Sequence, residues 1–563
     1  MSKRKSLRMS VYVKNPILPS DCIEEILKNL DNDRPSLYSW TLVNRSWCQY
    51  ATALLWSHPF SSLNLVDDQD AGHLLIRTYL TCLSDEACQL LEDEGHVLHK
   101  SKPLFDYPSY FKELHIGSLQ SALEQWWTKN TDYRLRKKAN FTTLERLIFE
   151  MLINKSNGLR LLDCGTRSRY NMTDCTLFTG IQKAVARIYE LRINCLNVDQ
   201  GQLTNLLSII IENSQNIHRL VITPHHEGSI AQKIPKLIEA QQSLKQFSMV
   251  SSLAGLFNPS RSASVFSALT SQIKSLTHAD LRKTYIDGNS LQILAKCHNL
   301  TSLYLVNCYQ EEDITLSDSL FKTAQLSIKK LVLNHDHHNS VKDGLSHNTC
   351  TSIIMMSAQT LQELSIDFID QDLVEILSTQ IPHLVSFAIR TTPIPLLKWI
   401  STSTLTHLAL SDVGPNTCMF TIAPLKQVGQ LLPPTLTHLQ LECRYNIAPE
   451  SMGGLLDECQ APLKVLSLDV EKFDDTLLEV VADYSRENGK CVRELRIAKD
   501  TRLQFDYGLC KKLQSVIPSI NQDYLDPWPL LIGNMTNKHH ESKFIKRSLP
   551  TDKQSFHYKR ARL

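Results

Sequence analysis

A short phrase, apolar-x-x-Leu-x-apolar, returns along most of this chain and constrains its fold more than any other feature of the sequence. Within the phrase, apolar residues alternate with other residues, which is the pattern of a β-strand with one buried face. Successive phrases begin about 29 residues apart on average, a spacing typical of a repeating structural unit. The fourteen phrases begin at Phe111, Leu144, Ile188, Ile217, Leu244, Leu276, Leu300, Ile328, Leu361, Leu384, Leu405, Leu436, Leu463 and Val492.

Between the phrases lie stretches whose apolar residues follow the three-and-four spacing of an amphipathic helix, as at 203–213, 290–297, 371–380 and 474–488. One strand and one helix cannot bury their apolar faces alone, so successive units must stack against one another. We therefore predict an α/β fold for residues 111–505. The expected architecture is an irregular leucine-rich-repeat solenoid of horseshoe shape, with a parallel sheet on its concave side.

Individual units depart from the consensus of this repeat class. The phrase that begins at Leu300 fits best, because it runs through to Cys308 in the pattern Leu-x-x-Leu-x-Leu-x-x-Asn/Cys, whereas most other phrases lack the final Asn or Cys. The longest interval follows Leu144 and leaves room for a further unit near Leu159. A HEAT or armadillo array is the structural alternative, but an all-helical array gives no reason for an alternating strand phrase to recur.

Charge is distributed unevenly along the 563 residues, although the net charge is only +2. Residues 1–14 and 538–563 are rich in Lys and Arg, so the body between them carries an excess of acidic residues. An acidic body repels phosphate, and nucleic acid is therefore not expected as a partner. The basic tail predicts either solubilising disorder or a nuclear import signal.

Segments for membranes or secretion are not evident in the sequence. No apolar run approaches the roughly 20 residues that a membrane span needs, and no apolar stretch follows the basic start as it would in a secretory signal. The fifteen cysteines are scattered without Cys-x-x-Cys spacing, which favours reduced and mostly buried thiols. We expect no membrane association and a cytoplasmic and/or nuclear location.

The segment from residue 18 to 60 has the apolar spacing of three short helices. In the first, apolar residues from Ile23 to Leu30 fall at i, i+3, i+4 and i+7, which places them on one face. The sequence leaves open whether Ser20 or Asp21 caps this helix. A segment this small cannot bury enough surface to be securely stable alone. Its apolar residues are therefore expected to serve a partner, the adjoining chain, or both.

The order and spacing of these apolar residues resemble the F-box, the helical module by which substrate receptors dock on the Skp1 adaptor of cullin-RING ubiquitin ligases. The stretch from Asn44 to Cys48, followed by Leu54 to Phe60, is similar to F-box proteins of filamentous fungi. The resemblance implies that Skp1, and cullin through it, are partners of this segment. The Skp1-binding residues that it implies are Leu18, Pro19, Ile23, Ile26, Leu27, Leu30, Val43 and Trp47.

The resemblance implies a substrate-recognition subunit of an SCF-type ubiquitin ligase, which marks a protein for proteasomal degradation while other subunits perform catalysis. The alternatives are a non-ligase F-box scaffold, and a repeat-protein inhibitor or transport factor whose N-terminal helices are only a cap. Six segments are predicted: a basic disordered N-terminus at 1–15, the F-box at 16–62, a helical linker at 63–110, the solenoid at 111–505, a C-terminal cap at 506–537 and a basic disordered tail at 538–563.

Strand residues between the apolar phrase positions point to the concave face of the predicted sheet, where repeat proteins bind their partners. These side chains are mixed in sign and type. Acidic residues slightly outnumber basic ones in the C-terminal half, which favours a protein substrate with a basic segment. The candidate substrate-binding residues are Tyr304, Asp367, Arg390, Glu442 and Arg496.

Sequence motifs of catalysis are not found: the chain has no Gly-rich phosphate loop, no Gly-x-Ser-x-Gly elbow and no His-Glu-x-x-His pair. His335, His337 and His338 stand close together, but they could hold a structural zinc ion only with ligands from elsewhere in the chain. We predict no catalytic residue, no metal and no cofactor, and hence a non-catalytic adaptor.

Overall fold

The structure is a computed structural model, and the chain divides into two compact units. The first comprises residues 1–162 and 167–184, and the second comprises 163–166 and 185–563. The division falls inside the segment for which the sequence predicts one continuous solenoid. The structure describes residues 19–28, 30, 33–61, 71–98, 101–130, 141–165, 174–194, 199–223, 229–250, 259–310, 326–334, 344–367, 369–389, 394–412, 422–443, 447–486, 492–498, 502–504 and 516–523.

Three short helices open the first unit: α1 (Ser20–Lys28), α2 (Arg34–Thr41) and α3 (Arg45–Leu55). We call them the helical head, and their positions agree with the apolar spacing of the sequence. The Asp33 side chain caps α2 by accepting from a backbone N–H of its first turn, and the Asn44 side chain caps α3 in the same way. The core that the three helices share is small and consists of Ile23, Leu27, Leu37 and Ala51.

Aromatic packing joins the end of the helical head to the rest of the first unit. Trp56 makes a T-shaped contact with Tyr79 at 5.3 Å between ring centroids, and Phe60 packs against Phe111 at 6.3 Å. Residues of the predicted linker therefore share a core with the head. The remaining elements are α4 (Ala71–Leu80), α5 (Asp85–Asp93), a 3₁₀ turn (Tyr107–Tyr110), β1 (Glu113–His115), α6 (Ile116–Asn130), α7 (Phe141–Lys155), β2 (Leu161–Asp163), a second 3₁₀ turn (Cys175–Leu177) and α8 (Ile181–Val185).

One predicted strand phrase is wrong: the phrase that begins at Leu144 lies within helix α7. Leu144, Ile148 and Leu152 are all fully buried and fall at i, i+4 and i+8, so the apolar residues of this stretch serve the buried face of a helix. The extra unit suggested by the long interval after Leu144 is present, because β2 begins at Leu161.

A parallel sheet runs through the second unit, and its strands follow one another in chain order. Neighbouring strands pair so that the phrase positions align: Leu303 lies opposite Leu331, and Leu331 lies opposite Leu364. The strands are β3 (Glu190–Asn194), β4 (Arg219–Thr223), β5 (Gln246–Val250), β6 (His278–Arg282), β7 (Ser302–Val306), β8 (Lys330–Asn334), β9 (Glu363–Ile366), β10 (Ser386–Ile389), β11 (His407–Asp412), β12 (His438–Cys443), β13 (Val465–Asp469), β15 (Glu494–Ala498) and β17 (Ser519–Asp523), while β14 (Lys472–Asp474) and β16 (Arg502–Gln504) form a separate parallel pair.

Helices connect many of these strands, as parallel pairing requires a crossover between neighbours. Helices are present at the four predicted positions, 203–213, 290–297, 371–380 and 474–488, of which residues 487–488 lie outside the described residues. The second unit is an α/β repeat solenoid of the leucine-rich-repeat type. Its helices are α9 (Gln200–Asn213), α10 (Ser229–Glu239), α11 (Pro259–Leu269), α12 (Gly288–Ala295), α13 (His347–Ser357), α14 (Gln371–Gln380), α15 (Ile394–Thr402), α16 (Ile422–Gln430), α17 (Pro449–Glu458) and α18 (Asp475–Arg486), with a 3₁₀ turn at Thr270–Gln272.

Buried glutamines connect successive repeats. The side chain of Gln241 accepts from Ile217 N at 3.0 Å and donates to the carbonyl of Ser214 at 3.1 Å. Gln272 repeats this arrangement one unit later, where it accepts from Leu244 N at 3.1 Å. Each amide thus satisfies backbone groups of the preceding unit at the point where its strand begins, which fixes how the two units stack.

A strand beyond the last sequence phrase extends the sheet, because β17 pairs with β15 and places Ile520 opposite Leu495. This strand belongs to the predicted C-terminal cap at 506–537. Across the described ranges, no helix combines the length and apolar character needed to cross a membrane. The segments predicted as disordered, 1–15 and 538–563, lie outside the described residues.

Candidate functional site

Two of the predicted Skp1-binding residues are buried inside the helical head. Ile23 is 4% exposed and Leu27 is fully buried, because both pack against Leu37 and Ala51 in the head core. We therefore correct their role: they hold the helices together and do not form an open surface. Leu18 lies outside the described residues.

Other residues of the predicted set do face outward. Pro19 is exposed, Ile26 is 40% exposed and Val43 is 60% exposed, whereas Leu30 and Trp47 are half-buried against the head core. Isolated exposed apolar residues are ordinary on protein surfaces, but several on one small element are informative. The head therefore retains outward-facing apolar side chains after its own core is complete.

Two further exposed apolar residues were missed by the sequence analysis. Tyr38 is 62% exposed and Leu42 is 74% exposed, and they stand one helical turn apart. Leu42 is also the direct neighbour of Val43 in the turn between α2 and α3. The i, i+4 spacing of Tyr38 and Leu42 was visible in the sequence. The same spacing is typical of a buried helix face, so it did not show that these two residues are exposed.

Hydrogen bonds at the end of α2 and at the start of α3 fix the turn that carries Leu42 and Val43. Val43 N donates to the Trp40 carbonyl at 3.2 Å, and the Asn44 side chain accepts from Trp47 N at 3.1 Å. The rings of Trp40 and Trp47 lie 3.9 Å apart between centroids, which packs the end of α2 against the start of α3. The exposed apolar residues of this turn are therefore displayed by a fixed backbone.

In the second unit, strand residues that alternate with the apolar phrase positions lie on the sheet face opposite the repeat core, which we call the ladder face. Tyr304 lies on this face in the middle of strand β7 and is only 3% exposed, because it packs in a small apolar cluster with Val332, Ala388 and Ala409. Tyr304 was predicted to contact a substrate, and its burial corrects that prediction. The neighbouring side chains of this cluster are buried as well, so the cluster offers no open apolar contact surface.

Several acidic residues on the ladder face pair with basic neighbours on the same or the adjoining strand. Such pairs contribute little stability when they are exposed, but they cancel the charge that the face would otherwise carry. The pairs are Glu190 with Arg192 at 2.6 Å, Asp280 with Arg282 at 2.9 Å, Lys330 with Glu363 at 2.9 Å, and Glu494 with Arg496 at 3.0 Å.

Histidines occupy the first strand position on β6, β11 and β12. The imidazoles of His407 and His438 stack at 4.0 Å between centroids, and each Nδ1 lies 2.8 Å from the hydroxyl of the preceding threonine. Burial lowers the pKa of His278 and of His407, and burial together with the neighbouring His407 lowers the pKa of His438 to about 4. At neutral pH these rings are uncharged.

The other predicted substrate-binding residues fall into three environments. Asp367 is only 6% exposed, so its carboxylate is largely covered and the prediction of an open contact is corrected. Glu442 is half-buried, and Arg496 is half-buried and paired with Glu494. Arg390 lies outside the described residues. The predicted set therefore does not form one exposed patch.

The described part of the chain offers little metal-binding or nucleophilic chemistry. That part of the chain holds no group of three or more His, Cys, Asp or Glu residues placed to bind a metal ion. Burial raises the pKa of the Cys297 thiol to about 11 and that of Cys308 to about 12. A thiol with such a pKa is protonated at neutral pH and is a poor nucleophile. The histidines at 335, 337 and 338 lie outside the described residues.

No protein-family model matches the chain, and no curated protein matches its sequence. Among solved structures, the leucine-rich repeat-containing protein LegL7 from Legionella pneumophila aligns at 15% identity with a TM-score of 0.31, over 48% of this chain and 90% of that chain. An internalin (inlF) from Listeria monocytogenes aligns at 14% identity with a TM-score of 0.26, over 66% of this chain and 81% of that chain. The leucine-rich-repeat fold of the second unit is assigned from its own strand order and register.

Proposed function

We propose that this chain is the substrate-recognition subunit of an SCF-type ubiquitin ligase, with the helical head docking on Skp1 and the repeat unit holding a protein substrate. The observation that supports the docking role is the set of exposed apolar residues on the head, above all Tyr38, Leu42 and Val43. A small element that has completed its own core gains nothing from such residues in water.

Burial of these apolar side chains against a partner would stabilise the complex. Covering a large apolar side chain contributes about 1.5 to 3 kcal/mol before the costs of association are subtracted, and a few such anchors usually dominate an interface. The fixed turn between α2 and α3 supports this role, because anchors that are already ordered lose little conformational freedom on binding. The spacing that resembles the F-box makes Skp1 the partner we propose.

In this proposal the repeat unit brings the substrate close to the ubiquitin-loaded enzyme. A substrate held on the sheet would be presented to a ubiquitin-loaded enzyme in the same assembly, so that transfer takes place within one complex. The raised thiol pKa values and the absence of a recognised catalytic motif in the sequence are consistent with catalysis by other subunits. We accordingly propose a non-catalytic adaptor that acts in the cytoplasm, the nucleus, or both.

The docking role is tested by titrating purified Skp1 against the full chain and against the variant Tyr38→Ala, Leu42→Ala, Val43→Ala. We expect Skp1 affinity to fall about 100-fold in the variant, because three anchors are lost at once. The matched control is Leu74→Ala, Leu90→Ala, Val97→Ala, which removes exposed apolar residues elsewhere in the first unit. Equal affinity in both variants, with melting temperatures unchanged, would contradict the docking role.

A second measurement separates a ligase receptor from a non-ligase scaffold. The chain, Skp1, a cullin-RING core and a ubiquitin-conjugating enzyme are combined with any protein that co-purifies with the chain from its own cells. The ligase role predicts ubiquitin chains on that protein, and it predicts their loss with the Tyr38, Leu42 and Val43 variant. A substrate that stays bound and unmodified in the complete assembly would favour the scaffold.

A further inference from the structure

The residue after the first apolar residue of each phrase forms a row along the edge at which the strands begin. Backbone hydrogen bonds fix this row: Lys329 N donates to the Thr301 carbonyl at 2.8 Å, and Arg493 N donates to the Lys464 carbonyl at 2.8 Å. We call it the strand-start row. In the second unit its members are Tyr189, His218, Lys245, Thr277, Thr301, Lys329, Gln362, Val385, Thr406, Thr437, Lys464 and Arg493.

All formal charges in these twelve positions are positive. Lys245, Lys329, Lys464 and Arg493 are exposed, and no acidic residue occupies the row. None of the four forms a salt bridge with any residue that the structure describes. The body of the chain carries an excess of acidic residues. A row whose charges are all positive is therefore not expected from composition alone.

Acidic groups elsewhere on the ladder face do not neutralise this row. Glu190, Glu363 and Glu494 directly follow row members in the sequence, and they are already paired with Arg192, Lys330 and Arg496. The acidic residues at the far ends of the strands, such as Asp469, lie five residues beyond the row, which is about 16 Å along an extended strand. That distance exceeds the screening length of about 8 Å at physiological salt, so the positive potential of the row persists at the surface.

The dimensions of the row suit an extended chain. Nine strand-to-strand steps separate Lys245 from Arg493 in the sheet order, which at about 4.8 Å a step is about 43 Å. An extended polypeptide of about 13 residues covers that length. Between the basic residues the row includes the exposed Gln362, whose side-chain amide can hydrogen-bond the backbone of a bound peptide.

We propose that the strand-start row of the second unit binds an extended acidic segment of the protein substrate. This inference rests on the proposed substrate-holding role and gives the chemistry of what is held. It replaces the expectation of a basic substrate segment, because the acidic residues behind that expectation are largely covered or paired, whereas the four basic ones are exposed and unpaired among the described residues.

The test measures direct peptide binding by the purified full chain without Skp1, so that its outcome is independent of docking. The probe is a fluorescein-labelled 16-residue peptide of alternating Glu and Ser, compared with the same peptide carrying Gln or Lys in place of Glu. Fluorescence anisotropy at low salt is expected to show the Glu peptide binding at least about tenfold more tightly than either comparison peptide, with affinity falling as salt rises.

Matched charge reversals locate the site. Lys245→Glu, Lys329→Glu, Lys464→Glu should weaken binding of the Glu peptide at least about tenfold, since three favourable charges become unfavourable. Lys236→Glu, Lys296→Glu, Lys398→Glu, which reverses three exposed lysines on helices or at a helix end, should change it less than about twofold. Circular dichroism confirms that both variants are folded.

Three outcomes would overturn the proposal: equal binding of the Glu and Gln peptides, an equal loss in both triple variants, or tighter binding of a labelled single-stranded oligonucleotide of the same length than of the Glu peptide. Failure of Skp1 docking would leave the peptide result intact. Failure of peptide binding would leave the docking result intact.

Discussion

A buried glutamine, Gln272, links two successive repeats through its side-chain amide. Gln272 is 1% exposed, and its amide donates to the carbonyls of Ile238 and Gln241 while accepting from Leu244 N. Every one of these partners belongs to the preceding repeat. Because these backbone groups are buried, water cannot replace the Gln272 amide as their hydrogen-bond partner when the amide is removed.

Gln272→Leu is therefore expected to lower the free energy of unfolding by about 3 kcal/mol, because buried backbone groups lose their partner. The matched control is Gln242→Leu, which removes an exposed amide contact to Gln215 and should cost less than about 0.5 kcal/mol. Urea denaturation followed by circular dichroism measures both. Equal midpoints for the two variants would show that the buried amide does not stabilise the stack.

The His438 ring makes stability depend on pH. Its pKa is about 4 in the folded chain because the ring is partly buried and faces His407, Arg496 and Lys464, with Glu494 acting in the opposite direction. The unfolded chain, with an ordinary histidine pKa of about 6.5, binds more protons between these values. The contribution of the neutral ring is therefore complete above about pH 6.5 and is lost as the pH falls towards 4.

Between pH 7 and pH 5, the wild-type chain should lose about 1 kcal/mol more stability than a His438→Gln variant, after allowance for screening of a half-exposed ring. Urea midpoints of both proteins at the two pH values provide the measurement. Parallel losses in the two proteins would mean that this ring is not the titrating group.

Alternation in the sequence predicts which face of the sheet a residue occupies, but it does not predict how far neighbours cover it. Tyr304 is on the predicted face and is nevertheless buried, since Val332 from the next strand packs beside it. In the same way, apolar spacing marks both Ile23 in the head core and Ile26 on the surface. A signal for the interrepeat glutamines was present, because Gln241 and Gln272 stand three and four residues before a phrase.

At the scale of elements, most of the repeat helices and strands follow directly from apolar spacing. Helix α14 spans Gln371–Gln380, as predicted, because Asp370 caps its start by accepting from Leu373 N at 2.9 Å and Leu373, Val374 and Leu377 supply one buried face. The prediction fails at α7, where the strand phrase of Leu144, Leu147 and Phe149 overlaps a helical face formed by Leu144, Ile148 and Leu152. Over so short a window, the two periodicities share residues, and tertiary packing decides between them.

The cap of helix α3 offers a test at this scale. Asn44→Ala removes the side-chain oxygen that accepts from Trp47 N and should lower the free energy of unfolding of the first unit by about 1 kcal/mol. Asn44→Ser, which keeps a capping oxygen, should retain most of that stability. Thermal denaturation of the full chain measures both variants. A similar loss in Asn44→Ser would show that the capping bond is not the cause.

The same cap should affect docking, because it positions the turn that displays Leu42 and Val43. Asn44→Ala is expected to weaken Skp1 binding less than the loss of the apolar anchors themselves, through a less ordered turn. A calorimetric titration of Skp1 against both Asn44 variants would measure the difference. Identical affinities for the Ala and Ser variants would separate the cap from docking.

In the chain as a whole, the two proposed binding surfaces lie in different compact units. The helical head in the first unit displays the exposed apolar residues Ile26, Tyr38, Leu42 and Val43, whereas the exposed basic row belongs to the repeat sheet in the second. The surfaces differ in chemistry, and each suits a different kind of partner: a protein groove for the apolar anchors and an acidic segment for the basic row. This division fits the adaptor role that we propose.

Hydrogen exchange of the full chain with and without stoichiometric purified Skp1 shows which unit contacts Skp1, because it reports on each part of the chain at once. If the helical head is the docking surface, Skp1 will slow exchange of backbone amides in residues 34–47 and leave those of the strand-start row, such as residues 326–334, unchanged. Unaltered exchange in the head, or protection confined to the repeat unit, would contradict the docking role.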